Sequence, residues 1–361
     1  MSLIDSRVKK QAEILVKYSV RAKKGERAVI LADFGAKPLV LEIYKLLVKS
    51  GVLETKVYFN SYELSEIFYK NATDIQLKSF PQMSMDEVKK TDCWIAIRSS
   101  SNTRGLTGVD AKKITLRSKT TRKISNWRVE KTKWVITNFP TNALAQEADM
   151  SLSDYSDFLF SAINGVDWSK KYKQQEKLRK IVDKVKKVRI IGPGTDLVLD
   201  ITGRKCINAG GKHNMPDGEV FTSVLENGSN GVIEYSYPAV YLGREFHDVR
   251  LEFKSGKVIS AKASKGEKDL NEILNIDSGA RRIGELGIGN NFKIKKFTKD
   301  ILFDEKIGGS IHLALGKGYK ETGSKNHSAI HWDMIKDLRL DGELWFDSKL
   351  VQKNGKWLIK I

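Results

Sequence analysis

Three of the chain's five histidines, His312, His327 and His331, fall within residues 308–337, a stretch that alternates polar and apolar positions. Over 328–335 a period of two puts Ala329, His331, Asp333 and Ile335 on one side of a predicted strand and Ile330, Trp332 and Met334 on the other. An imidazole and a carboxylate thereby share a face. Residues 310–315 repeat the arrangement, with His312 opposite Ile311, Leu313 and Leu315. Between the two runs lies GKGYKETGSKNH, whose glycines and polar residues read as a loop able to bring Tyr319 and Glu321 to the same place. Two strands that each present an imidazole, one of them beside an aspartate, make half of a site for a divalent cation.

Such an ion needs nitrogen and oxygen ligands at about 2.0–2.2 Å. The second half of the chain supplies acids in turn contexts. Glu219 follows the turn Pro216-Asp217-Gly218. Glu285 lies among Gly284, Gly287 and Gly289, where missing side chains let a backbone or an ion come close. Glu305 precedes His312 by seven residues, with Gly308 and Gly309 between them as a pair able to bulge the strand and turn the acid inward. Each residue also has a plainer reading. A lone Glu on a strand is ordinarily solvated, His312 alone is ordinarily a hydrogen-bonded core histidine, and His331 with Asp333 is equally an ion pair. His213, His247 and His327 read as surface or structural residues, and Trp332 as core.

These residues have to be carried by folded elements, and 361 residues are expected to make two domains. Predicted apolar strands at 27–32, 55–59, 93–98 and 134–137 alternate with predicted helices at 38–47, 63–71, 74–80 and 111–127. An amphipathic helix over 4–20, capped by Ser2, precedes them. Helices from Thr141 and Ser151 and over 168–187 follow. This pattern predicts an N-terminal parallel α/β domain over 1–187, its sheet covered on both faces. From Val188 onward, turns at Gly192-Pro193-Gly194, Asn227-Gly228, Asn230-Gly231, Ser255-Gly256 and Asn354-Gly355 punctuate apolar alternation. A β-rich α+β catalytic domain over 188–361 is expected. All imidazole chemistry belongs there, since the first 212 residues contain no histidine.

The formal net charge of +19 brings nucleic acid or an anionic surface into view. Lys and Arg are interleaved with Asp and Glu along nearly the whole chain and no nucleic-acid motif occurs, so a solvated basic surface is expected, with no specific nucleic-acid partner. Cys93 and Cys206 lie far apart in predicted strands, as buried thiols of a reducing compartment do. No apolar run approaches the roughly 18 residues of a membrane span, and the first twenty residues lack the apolar core of a signal peptide, so no membrane association and a cytoplasmic protein are expected. The dinucleotide G-x-G-x-x-G in its strand-to-helix context, the phosphate-binding G-x-x-x-x-G-K-[ST], H-E-x-x-H and G-x-S-x-G are all absent.

Taken together, NMPDGEVFTS, IGELGIGNN, FDEKIGGSIHLALG, YKETGSKN and SAIHWDMI, with FPTNALAQEADMSLSDYSDFLF in the first domain, resemble in kind and order the segments of the aminopeptidase T family of thermophilic metalloaminopeptidases. The resemblance spans nearly the whole chain. It implies an enzyme that releases residues from peptides with a free amino terminus, using two divalent ions (Zn, Co, Mn or Mg) held by Glu219, Glu285, Glu305, His312, His331 and Asp333. It implies Tyr319 as the catalytic tyrosine, and a homodimer. In that chemistry an ion-activated water attacks, Glu285 or else Glu321 shuttles its proton, and Tyr319 donates to the oxyanion. Two departures stand out: the step from Glu305 to His312 is longer than the family's, and the loop from Tyr319 to His331 is shorter. Two other classes stay open, namely another dinuclear hydrolase such as a phosphoesterase, which uses the same ligand types, and a basic nucleic-acid-binding protein in which these residues are structural.

Overall fold

A computed structural model of the chain describes residues 5–241 and 243–361; Ser2, expected as the first helix cap, lies outside them. The chain forms two compact units, Met1–Val166 with Gly211–Pro216, and Asp167–Gly210 with Asp217–Ile361. The first is built on a parallel sheet whose strands run, side by side, Glu54–Asn60, Arg27–Asp33, Cys93–Arg98, Lys133–Asn138 and Asn214–Met215. Ala28, Ile30, Ile95, Ile97 and Val135 of its inner strands are buried, as near-continuous apolar strands of a covered parallel sheet should be. Thr141 caps the helix expected to start there, and of Ser151 and Ser153, both candidates for the next cap, Ser151 makes it: the two hydroxyls accept the Leu144 and Asp154 backbone N–H groups. Among the described residues the first helix starts at Ser6 under an Asp5 cap and passes into a π-helical turn over Ile14–Ser19. Among the elements not foreseen in this unit, two stand out. One is the helix Gln82–Lys89, and the other is the two-residue strand Asn214–Met215, which returns from the second half of the chain to extend the parallel sheet.

The second unit holds an eight-stranded and a five-stranded sheet, both antiparallel. Gly192-Pro193-Gly194 joins strands Lys187–Gly192 and Thr195–Asp200 of the larger one. The helix Trp168–Val182, read from its charges as the close of the first domain, belongs here. Its Leu178 and Val182 are fully buried in the second unit's hydrophobic cluster, so that unit begins at Asp167 rather than at 188. Among the lysines, Trp168, Gln175, Leu178 and Val182 form a narrow inward stripe that helical spacing permits.

The five-stranded sheet runs His331–Asp337, Ser310–Gly316, Ile283–Gly289, Glu219–Thr222, Ile207–Ala209. One face buries Val220, Leu286, Ile288, Ile311, Leu313, Leu315, Trp332 and Met334 in the same cluster as Leu197, Leu199, Ile233 and Leu251 of the larger sheet. Each such side chain contributes roughly 1.5–3 kcal/mol. A one-residue slip would turn this set outward and drive the polar residues of the other face into the core, so burial sets the register.

Candidate metal centre

The face opposite the core carries the chemistry. Pairing sets Ala314 across from Glu285 on one side and Asp333 on the other, Gly316 across from His331, and His312 across from Gly287 and Ile335. Gly289 stands across from Glu219. Functional side chains thus alternate with Gly or Ala, which leaves room above the sheet. Gly287 is the tightest case: a Cβ there would stand 1.9 Å from the His312 ring. The glycine expected to admit a backbone or an ion therefore admits the imidazole.

Each imidazole is oriented from behind. His312 Nδ1 donates to the Glu305 carbonyl at 3.2 Å and His331 Nδ1 to the Lys317 carbonyl at 2.6 Å, which leaves both Nε2 atoms facing the site. The two Nε2 atoms confront the same pair of carboxylates. His312 Nε2 is 3.2 Å from Glu285 Oε1 and 3.9 Å from Asp333 Oδ1. His331 Nε2 is 3.8 Å from Glu285 Oε2 and 3.5 Å from Asp333 Oδ2. Glu219 Oε2 lies 3.6 Å from His312 Nδ1. Glu305, His312 and Asp333 each offer a ligand atom within 4.8 Å of the others.

Glu305 is delivered differently from the expectation. It caps the C-terminal end of the short helix Ile301–Asp304, and Gly308 and Gly309 turn the chain into the next strand without bulging it. Asp304 anchors this corner by accepting the Thr298 backbone N–H at 2.8 Å and its hydroxyl at 2.9 Å. Tyr319 starts the 3-10 turn Lys320–Thr322, with its ring 5.4 Å from that of Phe221 and edge-on to His331 at 5.5 Å. Glu321 is exposed on that turn, as is His327 further along the loop. His247 stands 3.5 Å from Glu245. In the first unit, His213 stacks on Trp134.

One residue of the cluster escaped the sequence reading. Lys306 is fully buried, bonds Glu305 Oε1, and holds its Nζ 3.6 Å from Glu219 Oε1. A lysine directly after a candidate ligand in an otherwise apolar segment was the available signal.

The electrostatics follow from crowding four carboxylates around little positive charge. Burial alone would lower both imidazoles, but the hydrogen bond that His312 donates to Glu285 and the charges of Glu219 and Asp333 push His312 up to about 10, and Asp333 and Glu285 raise His331. Burial raises the Glu219 carboxyl. Burial would likewise lower Lys306, yet Glu219 and Glu305 hold it above its ordinary value. Burial, with Glu285 and Asp333 adding to it, raises the Tyr319 hydroxyl, so it stays a proton donor through the neutral range.

The donor set fits divalent cations. Glu219 Oε2, Glu285 Oε2 and Asp333 Oδ1 are buried without a hydrogen-bond partner, although each lies 3.6–3.9 Å from an imidazole nitrogen. That gap is too long for a hydrogen bond. It is close to the roughly 3.4 Å that separates two ligand atoms placed about 2.1 Å from one tetrahedral ion.

Known proteins resemble the chain over its whole length. The family model described as thermophilic metalloprotease (M29) matches residues 4–357. Aminopeptidase 2 of Geobacillus stearothermophilus is 26% identical, with 100% of each chain covered. Aminopeptidase AmpS of Bacillus subtilis (strain 168) is 24% identical over 99% of this chain and 100% of its own. Aminopeptidase T of Thermus thermophilus is 29% identical over 46% of this chain and 48% of its own. The solved structure of wild-type AmpT from Thermus thermophilus superposes with a TM-score of 0.86 at 22% identity, covering 98% of this chain and 99% of that one, a likeness of fold.

Proposed function

We propose, from the premise that this chain belongs to the thermophilic metalloprotease (M29) family and is a peptide-bond hydrolase, that it is a metal-dependent aminopeptidase working with a pair of divalent cations. The observation that carries the pair is that two imidazole Nε2 atoms face opposite oxygens of the same two carboxylates, those of Glu285 and Asp333. That is the arrangement in which one carboxylate serves two ions. His312, His331, Asp333, Glu219, Glu305 and one oxygen of Glu285 would hold them. When bound, the ions supply an acidified water, a charge to polarise the scissile carbonyl and an anchor for the substrate's α-amine.

The chain's own groups do the rest. Glu285 has one oxygen on His312 and the other without a hydrogen bond, so Oε2 can take the proton of the attacking water and return it to the leaving amine. Tyr319, still protonated and stacked edge-on to His331, donates to the oxyanion of the tetrahedral intermediate. A contact of this kind contributes about 3 kcal/mol elsewhere. Lys306 keeps Glu219 and Glu305 in place whether or not ions are present.

The aminopeptidase names of the relatives support peptides with a free amino terminus as substrates, and the family resemblance supports a homodimer. Two buried free thiols support a reducing, cytoplasmic setting. Among the described residues, no helix is long and apolar enough to cross a membrane.

The test is hydrolysis of amino-acid anilides by chelated protein, with Zn, Co, Mn or Mg added back singly. Turnover is expected to vanish on chelation and to return with at least one ion. Glu285→Gln and Tyr319→Phe should each lose about 100-fold or more in kcat while staying folded. Near wild-type turnover by either variant would overturn that residue's role, and cleavage of nitrophenyl phosphate in place of anilides would overturn the peptidase reading.

A further inference from the structure

A cavity of about 150 Å³ opens beside the metal centre, along the outer edge of strand His331–Asp337. His331 and Asp333 form its rim, and Ala239, Tyr241, Phe297, Ile301, Trp332 and Met334 form most of its wall. Its far side is tied shut, because the Ser236 backbone N–H bonds the Ile335 carbonyl at 3.1 Å and the Asp337 N–H bonds the Ser236 hydroxyl at 3.0 Å. Aromatic packing stiffens the wall: Tyr241 lies against Trp332 with ring centroids 5.2 Å apart, and Phe297 stacks on Tyr237 at 4.6 Å.

We infer that this cavity receives the side chain of the substrate's amino-terminal residue and makes the enzyme prefer a branched aliphatic or aromatic residue there. The inference rests on the aminopeptidase reading, which puts the α-amine and the scissile carbonyl at the rim residues and leaves the first side chain pointing past them. Size argues for one such group: an apolar cavity of about 150 Å³ engineered in another protein takes up benzene. Chemistry argues the same way. The acid in the wall, Asp304, is buried with Thr298 donating to it twice, so it is already engaged and is a poor anchor for a basic side chain.

The experiment compares leucine, phenylalanine, alanine, lysine and glutamate anilides on metal-loaded enzyme, and in parallel measures binding of L-leucinol and L-alaninol by calorimetry. Leucine and phenylalanine should exceed alanine by about 10- to 200-fold in kcat/KM, with lysine and glutamate below alanine, and leucinol should bind more tightly than alaninol. Ala239→Leu, which fills the cavity, should shrink the leucine-to-alanine ratio at least 10-fold in both measurements. Tyr241→Ala, which opens it, should move the preference from leucine toward phenylalanine. Ratios unchanged in both variants, or a wild-type preference for lysine or glutamate, would overturn the inference and leave the aminopeptidase reading standing. Preferential leucinol binding without hydrolysis of any anilide would sink the aminopeptidase reading and leave the pocket.

Discussion

Lys306 sits in an environment unusual for a lysine. Its ammonium is wholly buried and meets the carboxylates of Glu219 and Glu305. Removing one member of such a group strands the others, at a cost of roughly 3–5 kcal/mol. Lys306→Met should therefore destabilise the chelated protein by about that amount, and added ions should recover more stability in the variant than in wild type, because they replace the lost charge. Denaturant unfolding with and without chelator measures both, and equal stabilities of variant and wild type in chelator would show that the ammonium carries no such burden. At this scale the sequence was readable for His312, His331 and Asp333, whose alternation with core residues predicts a shared face correctly. It was silent on Lys306, because a lysine after an acid is in most chains a solvated surface pair.

At the scale of elements, the site is a consequence of strand register. Glu285, His312 and Asp333 come from three strands separated by long intervening segments, and antiparallel pairing brings them over one patch of sheet with Ala314 between the two acids. Gly287 is the sharpest test. Its backbone does not need positive φ, so Gly287→Ala should preserve the strand, yet the new Cβ would occupy the place of the His312 ring. The expected outcome is a folded protein with far weaker metal binding and little hydrolysis. Metal titration by calorimetry decides it, and wild-type affinity would show that the ring has another place to go. Strands and caps of the first unit were legible because Cys93–Arg98 or the Thr141 and Ser151 caps are local patterns. The strand Asn214–Met215 was not, since two residues carry no period and the partner that makes them a strand lies far away in sequence.

For the whole molecule, the cluster of acids predicts coupling between ions, protons and stability. In the chelated protein the folded-state value of His312 lies near 10, above its unfolded value near 6.5. The stability this imidazolium contributes is complete below about pH 6.5 and is lost as pH rises toward 10, at about 1.4 kcal/mol per unit of separation. Ion-loaded protein, in which the proton has been displaced from His312, should show a flatter profile over that window and a higher Tm at its alkaline end. Parallel Tm-against-pH curves test this, and identical slopes would remove the linkage. Composition and local pattern were enough to determine an α/β chain with its imidazole chemistry confined to the second half, because periodicity and capping act over a few residues. Only the tertiary structure decided that helix Trp168–Val182 packs with the second unit, that Gly287 makes room for an imidazole, that Glu285 and Asp333 each face two histidines, and that a largely apolar cavity adjoins them. Those facts depend on which distant strands pair and in what register, which is set by burial of the whole core.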